Sequence, residues 1–590
     1  MQKLLLLTLL ATSATFAQPR DLAITNAHLP GSTDRITVLI HNGRISAVGA
    51  MKAPDGVTVI NAGGRTVSPG LFDMHTHMRA SAVGGDSADW LKNAQAYLYC
   101  GVTSVIELSS QGEMFEPLRR LTPGPHMQIA SRMSPPGGHG IEGGRGEVFT
   151  LEVLTPRQAV AAVKSVLPYK PDVIKVFTDG WRYGAASDMT SMDEATLKAL
   201  VEEAHKSNIP VVTHTVTLEK AKIGARAGVD ALIHGIGDAP VDEEFVRLMK
   251  QSGTVYTPTL SVYRVERTGV DPILEALLEP RALELLKAPA RPTPASTARR
   301  WKNLTGNVAA LYKAGVPIGV GTDAGMPGTY HGWATLKEMQ LLASAGMTPA
   351  DVWKGATELP ARVLHVDKDR GSIAEGKLAD LVLYDGDPAV DVNDATKIWK
   401  VIYNGAEVDR GALSKAILSS GVTKLASTPA PRKIDDFERT DGRTSQGALR
   451  VNSTDPGHDH ARMLFERTVR GPGNHAMTIL AKMTDAAKPY GRLILPLRVG
   501  GLEPVDASMW HGVECMVRGE GSYELIFAGH GASYRAQVTG TGTWKRVRVP
   551  FSAFPKLTAS AEKSLYSLAF EVARQPGEEA WLELDDVTFY

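Results

Sequence analysis

Residues 67–77 read Val-Ser-Pro-Gly-Leu-Phe-Asp-Met-His-Thr-His, and this stretch decides how the rest of the chain is interpreted. Its apolar run predicts a short strand that ends in His75 and His77. Because residues i and i+2 of a strand point to the same face, the two imidazoles can converge on one ion. Imidazole is a common ligand of zinc-like metals. Two solvated or core histidines would give the same pattern, so other parts of the chain must decide.

The composition is that of an ordinary globular protein with several domains. The chain has 590 residues, of which 43% are hydrophobic and 22% charged. Lys+Arg and Asp+Glu number 64 each, so the global charge does not favour nucleic acid or an anionic membrane as a partner. The cysteines, Cys100 and Cys515, are too few and too far apart for a disulfide framework.

The first 17 residues have the pattern of a cleavable signal peptide. Lys3 precedes an apolar run, residues 4–10, and the small-residue segment Thr15-Phe16-Ala17 is typical of a cleavage site. The apolar run is too short to span a bilayer, although an uncleaved anchor is the alternative. The mature protein is therefore expected to be periplasmic or secreted.

From residue 67 to about 364 short apolar strands alternate with helical segments. Eight such units can be counted, ending with a strand at residues 317–323. This count predicts a (β/α)₈ TIM barrel, an α/β fold with a parallel sheet. An insertion after the seventh strand, residues 264–300, is either a lid over the barrel or a surface decoration.

The flanks of the barrel are strand-rich. Residues 18–66 and 365–426 show short alternating runs with turn signals, and we expect them to join into one small composite β-sandwich. Residues 427–433 have the composition of a linker. The remainder, 434–590, is strand-like with Gly-rich turns, which predicts a C-terminal β-sandwich or jelly roll.

Ligand-type side chains recur where the barrel strands end. Because the carboxyl ends of parallel barrel strands face one rim, residues far apart in sequence are expected to meet there. A single histidine at a strand end is more often structural, but this coincidence across several units favours a metal site. The residues are His75, His77, Lys175, His214, His234 and Asp323.

Lys175 is unusual because it lies inside an apolar strand, where a charged side chain is costly to bury. It could form an ion pair with Asp323 or point outward at a sheet edge. A third interpretation is that its amine carries a carboxyl group, which would turn a cation into an anion able to bridge two metals.

The ordered motifs resemble the amidohydrolase superfamily, and within it the imidazolonepropionase-like branch that includes Xaa-Pro dipeptidases. The resemblance covers about residues 21–410. The motifs are Pro69-Gly70-Leu71-Phe72-Asp73-Met74-His75-Thr76-His77, Ile174-Lys175, Thr213-His214, Ile233-His234-Gly235 and Gly321-Thr322-Asp323-Ala324-Gly325.

The resemblance implies a hydrolase with two divalent metal ions, most simply zinc. In the family pattern His75, His77 and Asp323 hold one metal, His214 and His234 hold the other, and carboxylated Lys175 bridges them. A metal-bridging hydroxide would attack the substrate carbonyl. Asp323 would act as catalytic general base and then as general acid toward the leaving nitrogen.

The resemblance also implies candidates for substrate binding. His139, in the Gly-rich segment that follows the third strand, matches a family histidine that approaches the substrate. Dipeptidases of this branch carry a tyrosine two residues after the fifth-strand histidine, where this chain has Val216. Arg182 or Tyr183 could bind a substrate carboxylate instead, or could simply pack or face solvent.

The C-terminal region opens with Ile434-Asp435-Asp436-Phe437-Glu438 and closes with Leu582-Glu583-Leu584-Asp585-Asp586-Val587. These segments resemble the complex-I intermediate-associated type of jelly roll, which suggests a carbohydrate or envelope partner. The region also contains a second His-x-His, His458-Asp459-His460. No strand-end histidines accompany this motif, and Pro456 and Gly457 predict a loop, so we interpret it as surface.

These observations favour an exported amidohydrolase that cleaves a C–N bond of a small or dipeptide-like substrate, such as a dipeptide or an N-acyl amino acid. A deaminase or lactonase of the same superfamily is one alternative. A non-catalytic protein that binds a glycan or an envelope partner is another. The identities of the substrate and the metal stay open, as does the formation of a homo-oligomer.

Overall fold

The structure, a computed structural model, consists of a composite β-unit, a barrel and a C-terminal β-unit. Within the part of the chain that it describes, no helix is both long and apolar enough to cross a bilayer. The predicted signal peptide, residues 1–17, lies outside the described residues. The described residues are 21–78, 90–136, 138–140, 150–179, 190–264, 269–287, 294–419, 427–455, 461–485, 488–501, 503–529 and 532–590.

The first five strands precede the barrel. They are β1 (Leu22–Ala27), β2 (Ile36–His41), β3 (Arg44–Gly49), β4 (Thr58–Asn61) and β5 (Thr66–Pro69). Four of them form a sheet in the order β3-β2-β1-β4. The turn between β2 and β3 is Asn42-Gly43, and both residues have positive φ, as a two-residue type I′ hairpin requires.

Seven parallel strands form most of the barrel wall, in the order β6-β7-β8-β10-β11-β12-β13, while β9 pairs beside β8. All the pairs in the wall are parallel. The strands are β6 (Leu71–Thr76), β7 (Val102–Glu107), β8 (His126–Ser134), β9 (Thr150–Glu152), β10 (Val173–Phe177), β11 (Val211–His214), β12 (Ala231–Ile233) and β13 (Val255–Thr257).

The helices of this unit connect or follow the strands of the wall. Several begin at capping side chains that satisfy a backbone N–H: Thr155 caps α3, Asp193 caps α4 and Asp242 caps α6. The helices are α1 (Trp90–Tyr99), α2 (Phe115–Arg119), α3 (Pro156–Val166), α4 (Glu194–Lys206), α5 (Leu218–Ala227), α6 (Glu243–Ser252), α7 (Leu260–Tyr263), α8 (Pro272–Leu277), α9 (Pro280–Lys287), α10 (Ala295–Lys313), α11 (Trp333–Ser344), α12 (Pro349–Gly355) and α13 (Glu358–Val363).

The gap between β13 and β6 is filled by an irregular eighth segment, residues 317–324. The backbone N–H of Gly319 donates to Tyr256 O in β13 at 2.9 Å, and Met74 N in β6 donates to Val320 O at 3.0 Å. The segment thus bonds to both neighbours although it does not form a regular strand. The prediction of an eight-unit barrel is confirmed, with this one irregular member.

Glycine allows the eighth segment to pass close to its neighbours. A Cβ on Gly321 would lie 2.6 Å from Thr257 Cγ2 and 3.2 Å from His75 N. Because there is no room for a side chain here, the segment can approach both strands and bring Asp323 next to the end of β6.

The chain returns to the first β-unit after the barrel. The returning elements are β14 (Leu381–Tyr384), β15 (Ile398–Tyr403), β16 (Ala406–Glu407) and α14 (Arg410–Leu418). The three strands form a sheet with β5, in the order β16-β15-β14-β5, so strands from both flanks pair directly. Ile24, Ile40, Leu381 and Ile402 share one buried cluster. The expected composite β-unit is confirmed.

The C-terminal unit consists of two β layers. Its strands are β17 (Thr428–Pro429), β18 (Lys433–Asp435), β19 (Val451–Thr454), β20 (Arg462–Gly471), β21 (Asn474–Lys482), β22 (Tyr490–Pro496), β23 (Val505–Asp506), β24 (Gly512–Gly529), β25 (Ala532–Thr541), β26 (Lys545–Pro550), β27 (Leu565–Ala573) and β28 (Glu579–Phe589). The long β24 pairs with β26 and β28 in its first part and with β25 and β27 in its second. Phe527 and Phe589 stack at 6.1 Å between the layers. The sheet-rich architecture is as expected, and the jelly-roll connectivity stays a prediction.

Two boundaries differ from those expected. Residues 427–433 are not a free linker, because β17 pairs with β23 and Ala430 N donates to Asp506 O at 2.8 Å. A Pro-rich run suits a short edge strand as well as a linker, and composition alone does not separate them. The second boundary is the end of the expected insertion, residues 264–300, because residues 295–300 already belong to α10.

Helix α8, in the described part of the insertion, is attached to two other helices. Trp333 Nε1 donates to Asp271 Oδ2 at 2.7 Å, which joins the start of α8 to α11. Ser414 Oγ donates to Ala276 O at 2.8 Å, which joins α8 to α14. These two contacts attach α8 to helices from two parts of the chain.

Candidate metal centre

The six predicted ligand residues meet at the carboxyl-terminal rim of the barrel, and all are largely buried. Each lies within, at the end of, or just beyond an element of the wall: His75 on β6, His77 just after it, Lys175 in β10, His214 at the end of β11, His234 just after β12, and Asp323 in the eighth segment. The common rim of a parallel barrel therefore brings together groups from five different elements.

One side of the centre is formed by Asp323 and the two histidines of β6. Asp323 Oδ1 lies 3.1 Å from His75 Nε2 and 2.8 Å from His77 Nε2. The two Nε2 atoms are 3.1 Å apart. These three groups therefore face one small volume.

The other side is formed by His214 and His234, whose ring centroids are 4.5 Å apart. The ring of His75 lies 4.7 Å from that of His234. The ligand atoms of His75, His234 and Asp323 all lie within 4.8 Å of one another. The two predicted halves of the centre are therefore contiguous.

Lys175 is buried within the wall strand β10, with 1% of its surface exposed. This burial excludes the alternative of an edge-exposed side chain. Its Nζ has no hydrogen-bond partner among the described residues and lies 5.4 Å from the ring of Phe177. Burial lowers the pKa of Lys175 to about 7, Asp323 opposes this effect and Arg132 adds to it. The amine can therefore be neutral near physiological pH.

Three of the histidines, His75, His214 and His234, are held neutral. Burial lowers the pKa of His75 to about 3 and moves the pKa values of His214 and His234 well below the usual value. Burial alone would raise the pKa of Asp323, but His75 and His77 together bring it well below its usual range. Neutral imidazoles and an ionised carboxylate are the forms that bind cations.

The residues present fit divalent cations. Both ring nitrogens of His214 and Nζ of Lys175 are buried without a hydrogen-bond partner in the described part of the chain. Each such buried polar group costs about 1–3 kcal/mol if nothing binds it. Coordination would satisfy His214, and a carboxyl group on Nζ would do the same for Lys175. Imidazole and carboxylate donors suit zinc-like ions.

A buried carboxylate that the sequence interpretation did not single out, Asp73, orders the ends of the elements that carry the ligands. It accepts hydrogen bonds from His75 N, from N and Oγ1 of Thr322, and from the hydroxyls of Thr335 and Tyr97. These donors come from β6, the eighth segment, α11 and α1. The sequence feature that could have identified Asp73 is an acidic residue within an apolar strand, two positions before His75.

Replacing Asp73 by alanine is expected to destabilise the metal-free protein by about 3 kcal/mol, because several buried donors lose their charged acceptor. Urea unfolding of the chelator-treated protein measures this change. Thr335→Val removes only one donor and should cost about 1 kcal/mol. Equal losses for the two variants would contradict the central role of Asp73.

Three residues at the same rim have a strained backbone. His234, Thr259 and Asp323 have φ values of 77°, 48° and 62°, a backbone conformation that residues with a side chain rarely adopt. Thr259 Oγ1 lies 2.9 Å from His234 Nδ1. This contact leaves Nε2 of His234 as the nitrogen available to a cation. Sequence interpretation missed Thr259, and no local pattern marked it.

His139, predicted to approach the substrate, lies beside the centre. Its ring centroid is 4.4 Å from that of His214. Ser134 Oγ donates to His139 O at 2.8 Å, which ties the loop to the end of β8. The position agrees with contact to a substrate, and the role itself stays a prediction.

The other two predicted substrate residues, Arg182 and Tyr183, lie outside the described residues, as does the motif His458-Asp459-His460. Val216, which replaces the tyrosine of related dipeptidases, is buried. Its N–H donates to Asp179 Oδ2 at 3.2 Å. The valine side chain is apolar and its N–H is already bonded, so Val216 cannot take the polar role of that tyrosine.

Comparison with known proteins gives a consistent result. A family model described as the amidohydrolase family matches residues 66–411. An imidazolonepropionase of Cereibacter sphaeroides is 25% identical over 413 residues, covering 62% of this chain and 90% of the relative. An ochratoxinase of Aspergillus niger is 30% identical over 212 residues, covering 35% of this chain and 39% of the relative.

A solved structure shows the same fold. The crystal structure of a Xaa-Pro dipeptidase with bound methionine in the active site superposes with a TM-score of 0.55 at 24% identity, covering 66% of this chain and 99% of the other. The family model spans more than half of this chain, including all six residues of the centre. The protein belongs to the amidohydrolase family.

Proposed function

We propose that this protein is an exported, metal-dependent hydrolase that cleaves the C–N bond of a small, peptide-like amide. The observation that carries the proposal is the convergence of four histidines, Asp323 and buried Lys175 at one rim. Family membership supports hydrolysis of C–N bonds. The arrangement of neutral imidazoles around an ionised carboxylate supports metal dependence.

Two divalent ions, most simply zinc, would be held by this set. His75, His77 and Asp323 would bind one ion, and His214 and His234 the other. Neutral Lys175 Nζ would add to the carbon of CO₂ and lose a proton, and the resulting carbamate would bridge the two ions. When bound, the ions would polarise the amide carbonyl and lower the pKa of a bound water.

Asp323 is the proposed proton carrier. Its carboxylate lies at the centre of the ligand set and is held ionised by His75 and His77. It would accept a proton at the attack step and give it to the leaving nitrogen, which makes the amine a better leaving group. His139, next to His214, would contact the substrate from the loop after β8.

A dipeptide or an N-acyl amino acid is the proposed substrate class. The names of the matched proteins, an imidazolonepropionase, an ochratoxinase and a Xaa-Pro dipeptidase, support a small substrate. Since Val216 offers no polar group, we propose that Arg182 or Tyr183 binds the substrate carboxylate.

A panel of dipeptides and N-acyl amino acids tests the function. The zinc-loaded protein is expected to release free amine from at least one class, and chelation should abolish the release. Retained activity after the metal has been removed, as verified by elemental analysis, would contradict metal dependence. A zinc-loaded protein that cleaves no member of the panel would refute the substrate class.

Export rests on the predicted signal peptide, residues 1–17, and we propose a periplasmic or secreted location. A carbohydrate or envelope partner for the C-terminal unit is likewise a proposal, supported by its β-rich architecture and its family resemblance.

Thr259→Val is expected to weaken zinc binding by about 10- to 100-fold, because the hydrogen bond that orients His234 is lost. Competition with a chromogenic chelator measures the affinity. Thr259→Ser keeps the hydroxyl and should remain close to the wild type. If the valine variant bound zinc as tightly as the serine variant, the orienting role would be wrong.

A further inference from the structure

The short turn that follows β7 places a buried carboxylate against the C-terminal unit. Glu113 is 6% exposed, although it lies in the loop beyond the end of β7 at the rim of the barrel. It accepts hydrogen bonds from Arg443 Nη1, from Leu449 N at 2.9 Å and from Gly500 N at 3.4 Å. All three donors belong to the C-terminal unit. A negative charge of the barrel is therefore neutralised by the other unit.

The fit at this contact is close. Gly500 has a φ of 77°, and a Cβ there would lie 2.7 Å from Glu113 O and 3.4 Å from Met114 Cα. Arg443 Nη2 also donates to the hydroxyl of Tyr169 at 3.3 Å, beside the turn. The contact thus combines a charge pair whose carboxylate is buried with backbone packing that leaves no room for a side chain at Gly500. A solvated surface between independent units would show neither feature.

The same turn is connected to the metal centre through Glu107. Ser109 N and Ser110 Oγ donate to Glu107 Oε1 at 2.7 and 3.1 Å. The other carboxylate oxygen, Oε2, accepts a hydrogen bond from Met78 N, the residue that follows His77. Two residues separate Ser110 from the buried contact at Glu113. Two groups of hydrogen bonds, linked by the short chain segment 110–113, therefore join the C-terminal unit to the end of β6.

We propose that the C-terminal β-unit is a brace for the metal centre. It holds the loop after β7, and this loop holds the end of β6 and its histidines. Glu113, Arg443 and Gly500 are positioning residues and touch neither substrate nor metal. The part of this inference that concerns metal rests on the proposed cation site, whereas the docking of the two units does not.

A pair of glycine variants tests the brace. Gly500 and Gly501 both have positive φ, at 77° and 63°, so alanine strains the backbone at either position. A Cβ on Gly501 would meet only Pro496 Cβ at 3.9 Å, whereas one on Gly500 would collide with Glu113. Gly501→Ala is therefore the control for backbone strain.

Gly500→Ala is expected to speed the release of zinc to a chelator by about three- to tenfold, less than the roughly 10- to 100-fold typical of groups that hydrogen-bond a ligand directly. It should also raise hydrogen exchange of residues 107–114 in the metal-free protein. Gly501→Ala should change neither quantity relative to the wild type.

Glu113→Gln gives a second test that adds no atoms. It removes the charge that faces Arg443 and should produce the same two changes. Its control is Glu438→Gln, which removes a carboxylate that is paired within the C-terminal unit, 2.8 Å from His475 Nδ1 and 3.6 Å from Arg467 Nη2. The control variant should match the wild type in both measurements.

The two readouts separate the outcomes. Faster exchange with unchanged zinc release would overturn the brace, because the units would dock without influence on the centre. No change in either readout would make the C-terminal unit an independent appendage. If the wild type bound no zinc, the proposed function would fail, and unchanged exchange at residues 107–114 would then overturn the docking as well.

Discussion

Asp323→Asn is expected to lower the rate of amide hydrolysis by about 10²- to 10⁴-fold, the usual contribution of a positioned acid–base group. The substitution keeps the shape of the side chain but removes the charge that His75 and His77 stabilise. Turnover of the best substrate of the panel by the zinc-loaded variant measures the effect, with zinc content determined on the same samples.

Asp385→Asn is the control for this experiment. Asp385 is an exposed carboxylate in the composite β-unit, paired with Arg65 at 2.5 Å and remote from the rim. This variant should turn over substrate like the wild type. An Asp323→Asn enzyme that binds two zinc ions and retains a near-normal rate would disprove the proton-transfer role.

Lys175→Ala is expected to lose the bridging carboxylate, one of the two bound ions and nearly all activity, a fall of at least about 10²-fold. A short carboxylic acid added to the buffer should restore part of the zinc content and part of the activity, because it can occupy the space left by the side chain. Elemental analysis and turnover, with and without the added acid, measure the effect. Zinc loading of the wild type should in turn depend on dissolved CO₂.

Lys222→Met controls for the loss of a buried lysine. Lys222 is 5% exposed and is paired with Glu219, Asp242 and Glu244 on the outer helices. Its replacement should lower stability and leave zinc content unchanged. A Lys175→Ala protein that still binds two ions would mean that the lysine is not a bridge.

The ligand set was accessible from the sequence because barrel geometry is regular. Strands alternate with helices, each strand ends at the same rim, and a ligand-type residue near a strand end therefore has a predictable place. His214, at the end of β11, and His234, just after β12, followed from this rule alone. The eighth segment is harder to predict from the sequence, because it packs closely against its neighbours without regular strand pairing. Its place after the seventh strand–helix unit still identifies it.

The supporting residues were not accessible in this way. Asp73 and Thr322 are separated by 249 positions, and Glu113 and Arg443 by 330. Each of these residues has an ordinary local context, and only its partner makes it significant. A hydrogen bond between distant segments leaves no periodic trace in one sequence.

The sequence by itself determined the barrel, the strand-rich flanks and the residues that converge at the rim, because hydrophobic periodicity and strand ends are local properties. Only the tertiary structure decided that Asp73 joins four elements beside the centre, that Thr259 leaves Nε2 of His234 for a cation, and that the C-terminal unit docks on Glu113. These features depend on which distant groups become neighbours after burial, and burial makes each buried polar group require a partner.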